Sequence, residues 1–527
     1  MLDERTCWRD CYDLCLALYN CKAECLYVLS EFDALEPVIA TVIQNARSFQ
    51  DTLRVSAVRL LALGAQDKSQ EVVDVGVEVL EKLGQKLMGG SRHNFELIIG
   101  FRRIRKLLKG KTNEMILRLP RMTNENALGS MQILNLMFIH AYVANSPYFP
   151  FIGLKAVALT LQHGLCAASA FGFSLYGMIV CGMGKDVDSG YLYGKLAVDI
   201  IHKSHAREWL PRVYLIAYGC LYPWKEPLAG TLDALKLVYS IGLETGDVEC
   251  AFLAANLRLF NSLGAGISLV DMDRENAEFL EEMEVHKHEF ALSLHRPFAS
   301  LLHCMMGKKD PALLIQESLV TREGIPLRDD FTAAMVSLAR MIVAFAFDEL
   351  DDAERFRVTC WDKLKVIPLA SWEFCICLYF VGLVSLSRLR RSRISVKERR
   401  EHRRCVRRVM QQMRIWVKSN PRNCGPKLCL LEAESAALTG DHQLAEVKYT
   451  YSLALSASED FFLEHALGNE LAANFMLSCG KTGNARQHIE KSYSTYIRWG
   501  ASAKAEHLKK EMGGKFSPPI KWEHVIT

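Results

Sequence analysis

No catalytic signature runs through this chain. It lacks a Gly-x-Ser-x-Gly elbow, a His-Glu-x-x-His pair and a kinase catalytic-loop pattern. Proline and glycine are scarce, 15 and 33 in 527 residues, which fits a mostly helical chain with short connections. No sign of charge dominates: 64 Lys and Arg face 60 Asp and Glu, for a net charge of +4. The opening Met1–Leu2–Asp3–Glu4–Arg5 is charged and has no apolar core of the signal-peptide kind. A chain this long exceeds one compact core, so it forms several domains or one extended array.

Cysteine is not scarce, but its spacing has no metal-site or disulfide logic. There are 17, an odd count, single or at helical intervals such as Cys7, Cys11, Cys15 and Cys21, Cys25. Free thiols in a reducing compartment follow, and with them a cytoplasmic location. Residues four apart share a helix face, where cysteine packs as a small apolar side chain. No complete ligand set accompanies them, so no metal is expected.

What is present is helix periodicity. Leu35, Ile39, Val42 and Ile43 repeat at three and four, and Val72, Val75, Val79, Leu80 and Leu83 do so before Gly84. Near the end, Leu438–Thr439–Gly440–Asp441 closes one helix before Ala445 and Tyr449 mark the next. Gly480–Lys481–Thr482–Gly483 precedes Ala485, Ile489 and Tyr493 in the same way, 40 residues on. That is a helix-pair period. The sequence therefore predicts an all-α fold, an α-solenoid of TPR-like antiparallel helix pairs. Tyr449, Tyr493 and Trp499 are expected to pack between helices, and Gly440 and Gly500 to end them. The expected divisions are N-terminal repeats over 1–118, central repeats over 119–300, a segment with a basic connector helix over 301–420, TPR-like repeats over 421–512 and a loose tail over 513–527.

Two apolar stretches raise the question of a membrane. Between Lys155 and Lys185 lie 29 residues without a formal charge, but glycines interrupt them and two buried helices meeting near Gly164 explain them. Phe374 to Leu386 is 13 residues, too short to span.

Candidate chemistry fails on context. Gly110–Lys111–Thr112 and Gly480–Lys481–Thr482 carry Arg105 and Phe475 where a phosphate loop needs glycine. Gly182–Met183–Gly184 lacks the third glycine of a dinucleotide site. His286–Lys287–His288–Glu289 reads as solvated surface, since residues two apart on a helix do not share a face. No catalytic, cofactor-binding or metal residue is assigned, and no cofactor is expected.

The strongest charged feature is local. From Arg388 to Lys418, 13 Lys and Arg meet only Glu398 and Glu401, a segment charge of +11 in a chain whose remainder carries −7. Arg399, Arg403 and Arg407 would line one helix face as a partner-binding surface. The plainer alternative is a solvated connector. Nucleic acid, acidic lipid or an acidic protein face could dock there, but no aromatic interleaving or base-reading motif accompanies the charge, which favours the connector. For the chain as a whole, other proteins or peptide segments are the expected partners, rather than nucleic acid or membrane.

Several segments together resemble the long helical middle region of large multidomain signalling proteins. Those proteins place a serine/threonine-kinase-like domain and an AAA-type ATPase before it, and a GAF sensor and often a histidine kinase after it. The similar stretches include Val79–Leu80–Glu81–Lys82–Leu83–Gly84, Leu119–Pro120–Arg121–Met122, Gly190–Tyr191 with Gly194–Lys195, and Trp224–Lys225–Glu226–Pro227–Leu228. They continue through Gly242–Leu243–Glu244–Thr245–Gly246–Asp247, Lys427 with Ala433–Glu434, Glu470–Leu471, and Tyr496–Ile497–Arg498–Trp499–Gly500–Ala501 with Lys504. The resemblance runs from about Ala23 to Leu508 and includes none of the family's ATPase, kinase or sensor segments. It implies a non-enzymatic TPR-like spacer or scaffold, free-standing or part of a larger ATPase/kinase polypeptide. A binder of nucleic acid or acidic lipid through Arg388–Arg408 is the third reading.

Overall fold

The computed structural model describes residues 7–89, 93–183, 185–316, 330–364, 371–391 and 394–525. Gly184, Ser392 and Arg393, and most of the Asp310–Ile325 connection, lie outside them. Among the described residues the chain is helical with no strand, and one isolated bridge joins Arg121 to Leu165.

The N-terminal part runs α1 (Cys7–Asp10), α2 (Tyr12–Val28), α3 (Phe32–Asn45), α4 (Leu53–Ala65) and α5 (Ser69–Lys82). The next stretch is α6 (His93–Leu108), α7 (Asn113–Leu117), α8 (Glu125–Val143), α9 (Phe149–His163), α10 (Ala167–Gly182), α11 (Val187–Ser204) and α12 (Leu210–Ile216). A π-type turn over Ala217–Leu221 then leads through Tyr222–Trp224 to α13 (Ala229–Thr245), α14 (Val248–Gly264), α15 (Leu269–Val285), α16 (Glu289–Met306) and α17 (Pro311–Gln316). Last come α18 (Asp330–Ala346), α19 (Leu350–Leu364), α20 (Trp372–Arg390), α21 (Val396–Ser419), α22 (Pro421–Thr439), α23 (His442–Ser458), α24 (Phe462–Ser478), α25 (Thr482–Trp499) and α26 (Ser502–Met512).

Short polar side chains start these helices. Asn124, Asp186, Ser268 and Asp441 each accept a backbone N–H from the first turn of α8, α11, α15 and α23. Glycines in the left-handed region stop others: Gly246, Gly307, Gly440 and Gly500 follow α13, α16, α22 and α25.

The 40-residue repeat holds in atomic detail. The α22/α23 hairpin and the α24/α25 hairpin bury Ala445 and Ala485 completely. Ser452 Oγ donates to Pro426 O at 2.8 Å, and Ser492 Oγ donates to Ala466 O at 2.8 Å. Donor and acceptor both advance by one period, so the same helix-to-helix bond is made twice. Tyr449, Tyr493 and Trp499 are buried between helices, as expected.

Packing is not confined to sequence neighbours. α8 packs on α18, α11 on α21, α14 on α20 and α16 on α26. Trp224 stacks on Trp416 at 4.6 Å and lies 5.8 Å from Trp372. Beside it, the side-chain amides of Asn420 and Asn423 donate to the carbonyls of Pro223 and Glu226 at 2.8–3.1 Å. The Asn420–Pro421 break between helices is thus a buried junction. One apolar core runs from Leu60 to Ile520, with a smaller cluster among α2, α3 and α4.

Four expectations need correction. Cys7, Cys11 and Cys15 do not share one helix face: Cys11 falls at the break before α2 and is exposed, while Cys7 and Cys15 are buried. The tail is not loose. Phe516 and Ile520 are buried, and Trp522 packs 4.9 Å from Tyr493, because these apolar side chains find the outer side of α25. The Phe374–Leu386 run belongs to a 19-residue helix that recruits polar flanks at both ends. It is the one described helix long and apolar enough to cross a membrane, and 89% of its apolar window is buried in protein. His288 is buried, not surface: it caps α16 and accepts from Ala291 N at 3.3 Å. The uncharged Lys155–Lys185 stretch does form two helices, parted at Gly164, whose φ is +99°.

Candidate anion-binding face

The basic segment is helix α21, and its start is fixed by a reciprocal cap. Glu398 N donates to Ser395 Oγ at 3.2 Å, and Ser395 N donates to Glu398 Oε2 at 2.8 Å. The helix is strongly amphipathic. His402, Cys405, Val406, Val409, Met410, Met413 and Trp416 face the core. Lys397, Arg400, Arg403, Arg404, Arg407 and Arg408 are exposed, and Arg399 is half-buried.

The structure divides the basic run into a paired margin and an unpaired centre. Arg388 and Arg391 meet Asp351, Arg390 reaches the buried Glu434 at 2.7 Å, and Arg414 reaches Glu432 at 3.0 Å. Among the described residues, none of the seven central cations has an acidic partner within ion-pair distance. Arg399, Arg403 and Arg407 lie at four-residue spacing along α21. A second such column, Arg400, Arg404 and Arg408, lies beside them, so the basic face is two side chains wide.

The buried polar groups are not evident from the local sequence pattern. His140 Nε2 lies 2.8 Å from Glu249 Oε1, and His140 Nδ1 lies 3.2 Å from Ser69 Oγ. The order Ser–His–Glu is that of a nucleophile, a base and an orienting acid. All three side chains are buried, however, and Gly64 sits so tightly on the imidazole that an added Cβ would lie 2.4 Å from Nε2. The cluster ties α5, α8 and α14 together and leaves no room for a substrate against the His140 ring. Burial lowers the His288 imidazole to about 4, against the attraction of Glu249. Burial also acts to raise Glu249, but His140 and Arg212 outweigh it and hold the carboxyl low.

Many residues behind the resemblance prove to be this polar skeleton. Asp247 pairs with buried Arg212 at 2.8 Å, and Glu226 accepts from Tyr191. Lys427 meets Glu464 at 2.6 Å, and Glu434 accepts from Tyr449. Glu470 joins Lys504 at 2.7 Å and Tyr496 at 2.8 Å. The signal was present as lone acids inside apolar helices, such as Glu464 and Glu470 in Phe462–Phe475, but their cationic partners lie some 35 residues away.

One described group has metal-ligating composition: Asp348, His507 and Glu511, each offering an atom within 4.8 Å of the others. Glu511 already pairs with Lys515 at 2.9 Å, and Asp348 is exposed.

No family model matches the chain. The hybrid signal transduction histidine kinase G of Dictyostelium discoideum is 18% identical over 302 residues, which is 53% of this chain and 9% of that protein. The similarity to a signalling protein is distant and partial, and the chain spans less than a tenth of that relative.

Proposed function

We propose that this chain is a non-catalytic protein-interaction scaffold, a cytoplasmic solenoid of TPR-like helix pairs working in signal transduction. The observation that carries the reading is the repeated hairpin, with its Ser452–Pro426 and Ser492–Ala466 bonds one period apart. Stacked helix pairs offer long surfaces to partner segments. The signalling part rests on the partial similarity to the histidine kinase. The filled surroundings of Ser69, His140 and Glu249 support a structural role for the most enzyme-like cluster. Cross-linking of the native protein in its source cells, read by mass spectrometry, tests the proposal. Reproducible links from partner proteins to the helical surfaces are expected; a purified chain that turns over ATP with no such partners would overturn it.

A second reading makes this chain the helical part of a larger ATPase/kinase polypeptide. The 9% coverage of the relative favours it. An antibody against the 425–512 repeats separates the two. A band near 59.5 kDa supports a free-standing scaffold, and a band several times larger supports the spacer.

A further inference from the structure

We propose that the solvent face of α21 is a docking strip for an extended acidic segment of a partner protein. The proposal rests on the scaffold reading and names the chemistry of its partner. Seven cations within Lys397–Arg408 lack an acidic partner among the described residues, while the flanking arginines are matched to Asp351, Glu434 and Glu432. Glu398 and Glu401 are the two acids exposed along this stretch, and the like charges at i, i+4 in Arg399/Arg403/Arg407 and Arg400/Arg404/Arg408 weaken a helix. The opposing face repays that cost by burying Val409, Met413 and Trp416.

Six of the seven are arginine, whose forked guanidinium takes a carboxylate in bidentate fashion. The spacing fits an extended chain. Residues four apart on a helix rise about 6 Å. Alternate side chains of a strand recur about every 6.6 Å. Carboxylates at every second position of a short extended segment would therefore meet Arg400, Arg404 and Arg408 in turn, with Arg403 and Arg407 alongside. Beneath the strip His402, Cys405, Val406 and Val409 are buried, and the far end of α21 is anchored by the Trp416–Trp224 stack and the Asn420 bonds, so the helix is formed before a partner docks.

Other polyanions fit less well. No aromatic side chain stands on the exposed side of Lys397–Arg408 for bases to stack upon. A membrane surface wants an apolar helix face to insert, and that face of α21 is turned into the core.

The test uses the full chain and a labelled peptide of alternating Glu and Ser, with a Gln-and-Ser peptide as control. Short duplex DNA, and vesicles of equal parts phosphatidylserine and phosphatidylcholine, run in parallel. Binding of the acidic peptide should exceed that of the control and weaken at least about tenfold in the triple variant Arg400→Glu, Arg404→Glu, Arg408→Glu. Those side chains face solvent, so the far-ultraviolet circular dichroism and melting of the variant should match wild type. Arg400→Lys, Arg404→Lys, Arg408→Lys should fall between them, because lysine keeps the charge and loses the fork. Peptide binding untouched by the charge reversal would overturn the proposal, as would tighter binding of duplex or vesicles than of peptide. Cross-linking of the variant in cells separates the two readings. Partners unchanged from wild type would sink the strip and leave the scaffold standing. No partner with either protein would sink the scaffold.

Discussion

Lys427 Nζ lies 2.6 Å from Glu464 Oε1, and both side chains are completely buried. The ammonium also sits 4.8 Å from the centre of the Trp372 ring. Burial by itself would lower the lysine, but Glu464 and the thiols nearby hold it above its ordinary value. One ion pair therefore joins α22 to α24 within an apolar surrounding, bridging consecutive helix pairs.

Breaking that pair from one side strands a charge. Lys427→Met should destabilise the fold by about 3–5 kcal/mol, and adding Glu464→Leu should recover most of the loss. Urea denaturation of wild type, both single variants and the double variant measures the coupling. A double variant as weak as the worst single one would show that the pair does more than cancel its own charges.

The repeated serine bonds should have matched energies. Ser452→Ala and Ser492→Ala each remove one buried hydroxyl donor to a carbonyl, at a cost of about 1 kcal/mol. Thermal melts of the two variants should shift by similar amounts. A strong effect at one site alone would mean that the two hairpins differ in how they hold together.

Glu373 gives the stability a falling arm with pH. Burial raises its carboxyl to about 7, with Ser371 only partly opposing. The native state keeps a proton there that the unfolded chain releases from about pH 4.5. Stability therefore drops as pH climbs through 4.5 to 7, and the loss, about 3–4 kcal/mol, is complete above 7. Glu373→Gln should be more stable than wild type by that amount at pH 8 and equal to it near pH 4.5. Urea midpoints at the two pH values check this.

His288 works in the opposite sense. Its imidazole is lowered to about 4, with Glu249, His140 and His286 as the titratable groups around it. The unfolded chain takes up a proton below about pH 6.5 that the native site refuses until about 4. Stability contributed by the neutral ring is thus whole above 6.5 and falls away between 6.5 and 4, by about 3–4 kcal/mol. His288→Asn keeps a cap acceptor for α16 without titrating. A flatter acid limb in its denaturation profile is the expected result; an unchanged limb would place the acid sensitivity elsewhere, with buried His295 the next residue to test.

Most of the helices and the basic face follow from local residue pattern, though the break at Cys11 and the full length of α20 do not. Apolar spacing, caps such as Asn124 and Asp441, and glycines such as Gly440 act over a few residues, so they can be read along the chain. The four-residue spacing of Arg399, Arg403 and Arg407 is legible for the same reason. Which of these charges are neutralised depends on tertiary packing. Arg390 is consumed by Glu434 and Arg391 by Asp351, while Arg400 and Arg404 keep theirs. It also turned His288 inward, drew Phe516 and Ile520 back onto the last helices, and set Asn420 against Pro223. These outcomes depend on contacts between residues tens to hundreds of positions apart, where desolvation and packing, not local propensity, choose the partner.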